Sequence, residues 1–119
     1  MDTSVLNRPF DDQTQPRIAL ETQALRTILQ LIESGQVDLV GSAVLDYENS
    51  RNSSQMRRQR GQQGLELARR YQNLDAVVTQ RASELEQQGL KAMDALHVSC
   101  SEAAQCDYFL TCDDRLMRR

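Results

Sequence analysis

Tryptophan is absent from this 119-residue chain, and aromatic residues make up only 4% of it. So sparse a supply argues against a platform of rings on which successive nucleobases stack. Histidine occurs once, and the three cysteines, Cys100, Cys106 and Cys112, contain no C-x-x-C pair. That argues against a structural zinc knot and a disulfide framework, and leaves three reduced thiols partly filling a core. No apolar run approaches the ~20 residues of a membrane span, and the N-terminus lacks a basic segment followed by an apolar one. The chain is therefore expected in the cytoplasm, without a membrane partner. Lysine is nearly missing as well: 13 of the 14 basic residues are arginine, which favours contacts to phosphate or carboxylate.

What is present fits one small domain spanning residues 1–119, since the chain is too short for two separate cores. The net charge of −3 conceals a local excess: residues 51–70 hold six arginines against the single acid Glu66. A solvated helix face is the plain explanation of such a run. Along the chain, Pro9 and Pro16 bracket a polar loop. Ile18, Leu25, Ile28, Leu29 and Ile32 then recur at helical spacing up to Gly35. "QVDLVG" reads as a short strand, and Ser42 is placed to cap a helix carrying "AVLDYENSR". The stretch from Ser53 to Gln72 looks helical at both ends with a break at Gly61 and Gly64. Asp75 opens a helix that Gly89 closes, and another runs through "KAMDALHVSCSEAAQ". "CDYFLTCDD" reads as a buried strand ending on two acids. Strands alternating with helices indicate an α/β fold.

Three acids stand in costly places. Glu48 follows Val44 and Leu45 by one helical turn and shares their apolar face; Asp94 lies between Leu90 and Val98; Asp113 directly follows the expected strand. An ionised carboxylate there must be paired, hydrogen-bonded or metal-bound. Each could have its own arginine. Together they admit one shared cation, and an all-oxygen donor set suits Mg2+ or Mn2+, ions that serve phosphoryl chemistry.

The blocks "DTSVL" (2–6), "SAVLDYE" (42–48), "DALH" (94–97) and "FLTCDDRL" (109–116) follow one another in an order that resembles the PIN-domain nucleases, in particular VapC-type toxins of type II toxin–antitoxin pairs. The resemblance implies a three-layer αβα sandwich around a parallel sheet and a metal-dependent endoribonuclease. By motif the four acids are Asp2, Glu48, Asp94 and Asp113, with Ser4 and Thr111 as supporting hydroxyls. Asp2, Asp94 and Asp113 would hold Mg2+ or Mn2+, with Glu48 ligating or ordering a bound water. Asp113 fills the T-x-D position, with Asp114 as the adjacent alternative. The implied partners are an RNA substrate approaching along Arg51, Arg57, Arg58 and Arg115, a cognate antitoxin, and a second copy in a homodimer.

In that family the Asp of D-T-S closes a first, central strand, yet here only Met1 precedes Asp2, and the chain stops at "RLMRR" where another strand is expected. The expectation is thus a PIN-like domain truncated at both ends, with Asp2 on a fraying terminus that little holds. The alternatives are an inactive PIN fragment and a non-catalytic helical module that engages a protein partner. His97, one turn beyond Asp94, is expected to be a packed histidine rather than a base.

Overall fold

The computed structural model describes residues 1–113. Helix α1 (Thr3–Asn7) opens the chain, followed by a 3-10 turn at Arg8–Phe10 and the long helix α2 (Pro16–Glu33). Strand β1 (Val40–Ser42) leads directly into α3 (Ala43–Ser50) and then α4 (Gln55–Leu65). Strand β2 (Arg70–Gln72) precedes the helices α5 (Ala76–Gln87) and α6 (Ala92–Ala103). The two strands pair in parallel, Val40 with Arg70, Gly41 with Tyr71 and Ser42 with Gln72. The architecture is α/β, helix-rich around a small parallel sheet. Among the described residues no helix is long and apolar enough to cross a membrane.

Local chemistry sets most boundaries. Pro16 occupies the first turn of α2, where its missing N–H costs nothing, and Gly35 takes φ +81° just past the end of that helix. Ser42 caps α3 by accepting from the N–H of Leu45 at 3.1 Å, and Asp75 caps α5 by accepting from Val78 at 2.9 Å. A cap of this kind contributes about 1 kcal/mol. The core forms where α3 meets its neighbours: Leu45 packs with Leu6 and Leu65, while Val44 packs with Val78 and Cys100. A third cluster, Ala82, Leu85 and Ala95, joins α5 to α6. Because Val44 and Leu45 anchor α3 on both sides, the next turn carries Glu48 to a fixed place beside α1 and α6.

Three expectations are corrected. Helix α4 runs unbroken through Gly61 and Gly64. Gly61 is there for packing: a Cβ at that position would lie 2.3 Å from Oδ1 of Asn49, a residue 3% exposed whose amide donates to the carbonyl of Arg58. Beyond Leu65 the expected second helical end is replaced by β2, since the N–H of Arg69 donates to the carbonyl of Leu39 at 3.2 Å and draws the chain alongside β1. The segment 106–113 forms no strand among the described residues. Tyr108 is 85% exposed, and the backbone link of this segment to the N-terminus is a single bond from the Asp2 N–H to the carbonyl of Leu110, 3.2 Å. A strand needs a ladder, and here the chain turns into α1 immediately after Asp2 instead of continuing alongside.

Substituting Gly61 tests this packing with a sign. In an exposed helix interior Gly→Ala stabilises by about 1 kcal/mol. Against Asn49 the added methyl overpacks, so Gly61→Ala is expected to destabilise by about 1–3 kcal/mol in urea unfolding. In an Asn49→Ala background the same change should no longer destabilise; a stabilised Gly61→Ala protein would show that Asn49 moves aside.

Candidate active site

Asp2 is 5% exposed and caps α1. Its Oδ1 accepts from the N–H of Ser4 at 3.1 Å and from the Ser4 hydroxyl, and its Oδ2 accepts from the Thr111 hydroxyl at 2.6 Å. The same hydroxyls receive donors in turn: the N–H of Cys112 reaches Ser4 Oγ at 2.9 Å, and the N–H of Asp113 reaches Thr111 Oγ1 at 3.0 Å. Burial of an unpaired carboxylate costs several kcal/mol, and charge-assisted bonds from three donors offset it. The expectation of an Asp2 on a loose terminus is therefore corrected. Ser4 and Thr111 secure it from both ends of the described chain and bring residues 111–113 to its side.

Glu48 presents one oxygen to three donors. Its Oε1 accepts from the Thr3 hydroxyl at 2.6 Å and the Thr3 N–H at 3.3 Å, and lies 3.1 Å from Nε2 of His97. Burial pushes the Glu48 carboxyl up, but the bonds from His97 and Thr3 and the charge on His97 outweigh it and hold the group at about 2. Glu48 is accordingly ionised at neutral pH. Asp94, half-buried in the first turn of α6, is driven the other way. Burial raises its carboxyl above the ordinary range, followed by the charges of Asp113 and Asp2; His97 opposes, and Glu48 adds to the rise.

The four acids named from sequence thus fall within one electrostatic neighbourhood, at the N-terminal cap of α1, on α3, on α6 and in the segment after α6. Among the described residues no ion pair joins an arginine to Asp2, Glu48 or Asp94. Nor does any group of three His, Cys, Asp or Glu side chains among them stand close enough to hold a metal ion. The arrangement is one of mutual repulsion across a shared space, not of ligands already converged. Sequence reasoning missed Thr3, for which adjacency to Asp2 was the available signal, whereas His97 is the packed, hydrogen-bonded histidine expected.

The arginines divide. Arg57 is engaged with Asp11 at 3.1 Å and the carbonyl of Phe10 at 2.7 Å, and Arg58 donates to the carbonyl of Asn52 at 2.7 Å. These two brace the turn after α1 and the start of α4. Arg51 lies over Tyr47 on the exposed side of α3, and Arg60 is exposed. Arg115 and Asp114 lie outside the described residues. A cavity of about 580 Å3, lined by Ile28, Leu31, Val40, Cys100 and Leu110 among others, touches the acidic neighbourhood through His97 but includes none of the four acids.

Compared with known families, residues 1–119 match the model described as PIN domain. No curated protein and no solved structure matches the chain.

Stability against pH should report the two shifted carboxyls separately. Glu48 sits below its unfolded value of 4.5, so its contribution is complete above that pH and is lost as pH falls towards about 2. Asp94 sits above its unfolded value and so costs stability at neutral pH. Asp94→Asn should raise the midpoint of thermal unfolding at pH 7 by about 1–3 °C, whereas Glu48→Gln should lower it and flatten the acid limb. A midpoint that falls in Asp94→Asn would contradict the crowding of like charges.

Proposed function

The chain belongs to the PIN-domain family, whose members are generally metal-dependent nucleases, and from that premise we propose that it is a Mg2+- or Mn2+-dependent endoribonuclease of the VapC type, the toxin of a toxin–antitoxin pair. The observation that carries the nuclease reading is the gathering of Asp2, Glu48, Asp94 and Asp113 in one electrostatic neighbourhood, where burial and the charges of Asp113, Asp2 and Glu48 raise the Asp94 carboxyl. The toxin role, the cognate antitoxin and a homodimer are supported by the order of the four motif blocks.

The donor set fits a hard divalent ion, because it is all oxygen and because Asp94 carries a repulsion that a cation would relieve. Asp2, Asp94 and Asp113 would hold it. When bound, such an ion supplies charge neutralisation at the phosphate and an acidified water. The chain's own groups then have distinct tasks. Glu48, held at about 2, is too weak a base to take a proton at neutral pH, and serves as a fixed acceptor that orients the attacking water. Asp94, whose carboxyl is raised by burial and by the charges of Asp113 and Asp2, would be the group whose charge the ion balances most. Ser4 and Thr111 keep Asp2 and the start of Asp113 in place. Water adds to phosphorus and the bond to the 3′ oxygen breaks, leaving a 5′-phosphate, so no side-chain nucleophile is required. RNA would approach over Arg51 and Arg60 rather than Arg57 and Arg58, whose guanidinium groups already hold the fold.

A second reading, a non-catalytic PIN module that binds a protein partner, is favoured by the absence of any ligand-distance group among the described residues. Incubation with end-labelled single-stranded RNA and Mn2+ separates the two. The proposal expects cleavage that a chelator stops and that Asp94→Asn slows by about 100-fold or more. Undiminished cleavage by Asp94→Asn removes that residue from the mechanism, and no cleavage by the unaltered chain supports the binding module.

A further inference from the structure

The nuclease reading gives no task to the one histidine. His97 is 3% exposed and lies on α6, one turn beyond Asp94 and on the same side of the helix. Its Nε2 is 3.1 Å from Glu48 Oε1. Since Glu48 is ionised at neutral pH, its oxygen can only accept, so Nε2 must carry the proton. Thr3 reaches the same oxygen with both its hydroxyl and its N–H. Three donors therefore converge on Oε1 from two elements that are remote in sequence. Among the described residues Oε2 accepts no hydrogen bond.

We propose that His97 and Thr3 are positioning residues for Glu48: they immobilise Oε1 and leave Oε2 as the one oxygen available for orienting a water at the acidic neighbourhood. The inference rests on the nuclease reading for its consequence, but its geometry stands apart from it. A glutamate side chain has three rotatable bonds and in water samples many rotamers. Here the first turn of α1 and the middle of α6 remove that freedom, and the two helices that do so also carry Asp2 and Asp94. Movement of either helix would displace a charged residue and the group that aims Glu48 together, which keeps Asp2, Glu48 and Asp94 in a constant relation. Neither His97 nor Thr3 is assigned contact with substrate or the reacting atoms.

A merely structural histidine would change stability and nothing else, so the test needs a readout that stability does not move. Steady-state cleavage of single-stranded RNA with Mn2+ is measured for the unaltered chain, His97→Leu, His97→Gln and Thr3→Val, the glutamine offering an amide donor near the place of Nε2. Positioning predicts that His97→Leu lowers kcat by about 10- to 100-fold with KM nearly unchanged, that His97→Gln recovers most of the loss, and that Thr3→Val falls between them. In parallel, the side-chain carboxyl 13C resonance of Glu48 is recorded at pH 7 in metal-free protein; it should move in His97→Leu and stay in place in His97→Gln. An unchanged kcat in a folded His97→Leu protein overturns the proposal, as does an equal loss in the leucine and glutamine variants. If His97→Leu does not fold, Thr3→Val, which deletes a single hydroxyl, decides by the same two readouts. Should the unaltered chain cleave no RNA, the nuclease reading fails, and the carboxyl resonance alone then judges the positioning: a resonance indifferent to His97→Leu overturns it.

Discussion

Asp2 is a charge shut away from water, and two hydroxyls make that tolerable. Ser4 supplies a backbone and a side-chain donor from the following turn, and Thr111 supplies a third from the far end of the described chain. Without these bonds a carboxylate buried there would be costly. With them, the segment 110–113 is held against α1 despite forming no ladder, since Ser4 and Thr111 also receive the N–H groups of Cys112 and Asp113. The polar network does locally what a sheet would otherwise do, and it brings Asp113 into the reach of Asp94.

Around that anchor the other acids are sorted by their surroundings. Glu48 and Asp94 begin as similar carboxyls, yet donors push one down while burial and like charges push the other up. Groups whose environments separate them in this way take different parts: Glu48 stays a fixed, ionised acceptor, while Asp94 carries a repulsion that a cation would relieve. The arrangement costs stability at Asp94 and recovers it at Glu48 and Asp2, so the site is held together by hydrogen bonds to some of its charges while repulsion persists among the rest. Arginines elsewhere, such as Arg8 and Arg57 with Asp11, pair with acids outside the site.

Elements governed by local chemistry were legible from residues alone. Pro16 and Gly35 mark α2, Ser42 caps α3, Asp75 caps α5, and the apolar spacing of α6 is plain. Glu48 was legible as a group on an apolar face because the burial of Val44 and Leu45 follows from the same periodicity, and the structure places all three on α3. Features decided by tertiary neighbours were not legible. Gly61 looks like a helix breaker until Asn49 is set against it. "YFLTC" has strand composition but no laddered neighbour among the described residues. Asp2 looks loose because its third donor, Thr111, lies more than a hundred positions away in the chain.

The central claim is that carboxylates from four separate segments share one space that a divalent ion would occupy. Substoichiometric Mn2+ added to isotopically labelled protein tests it without RNA, because the paramagnetic ion broadens nearby resonances. The account predicts selective broadening of residues 2–4, 48, 94–97 and 111–113, with α2 and α5 spared. Broadening centred elsewhere, or spread evenly over surface acids such as Asp12 and Asp38, would contradict it.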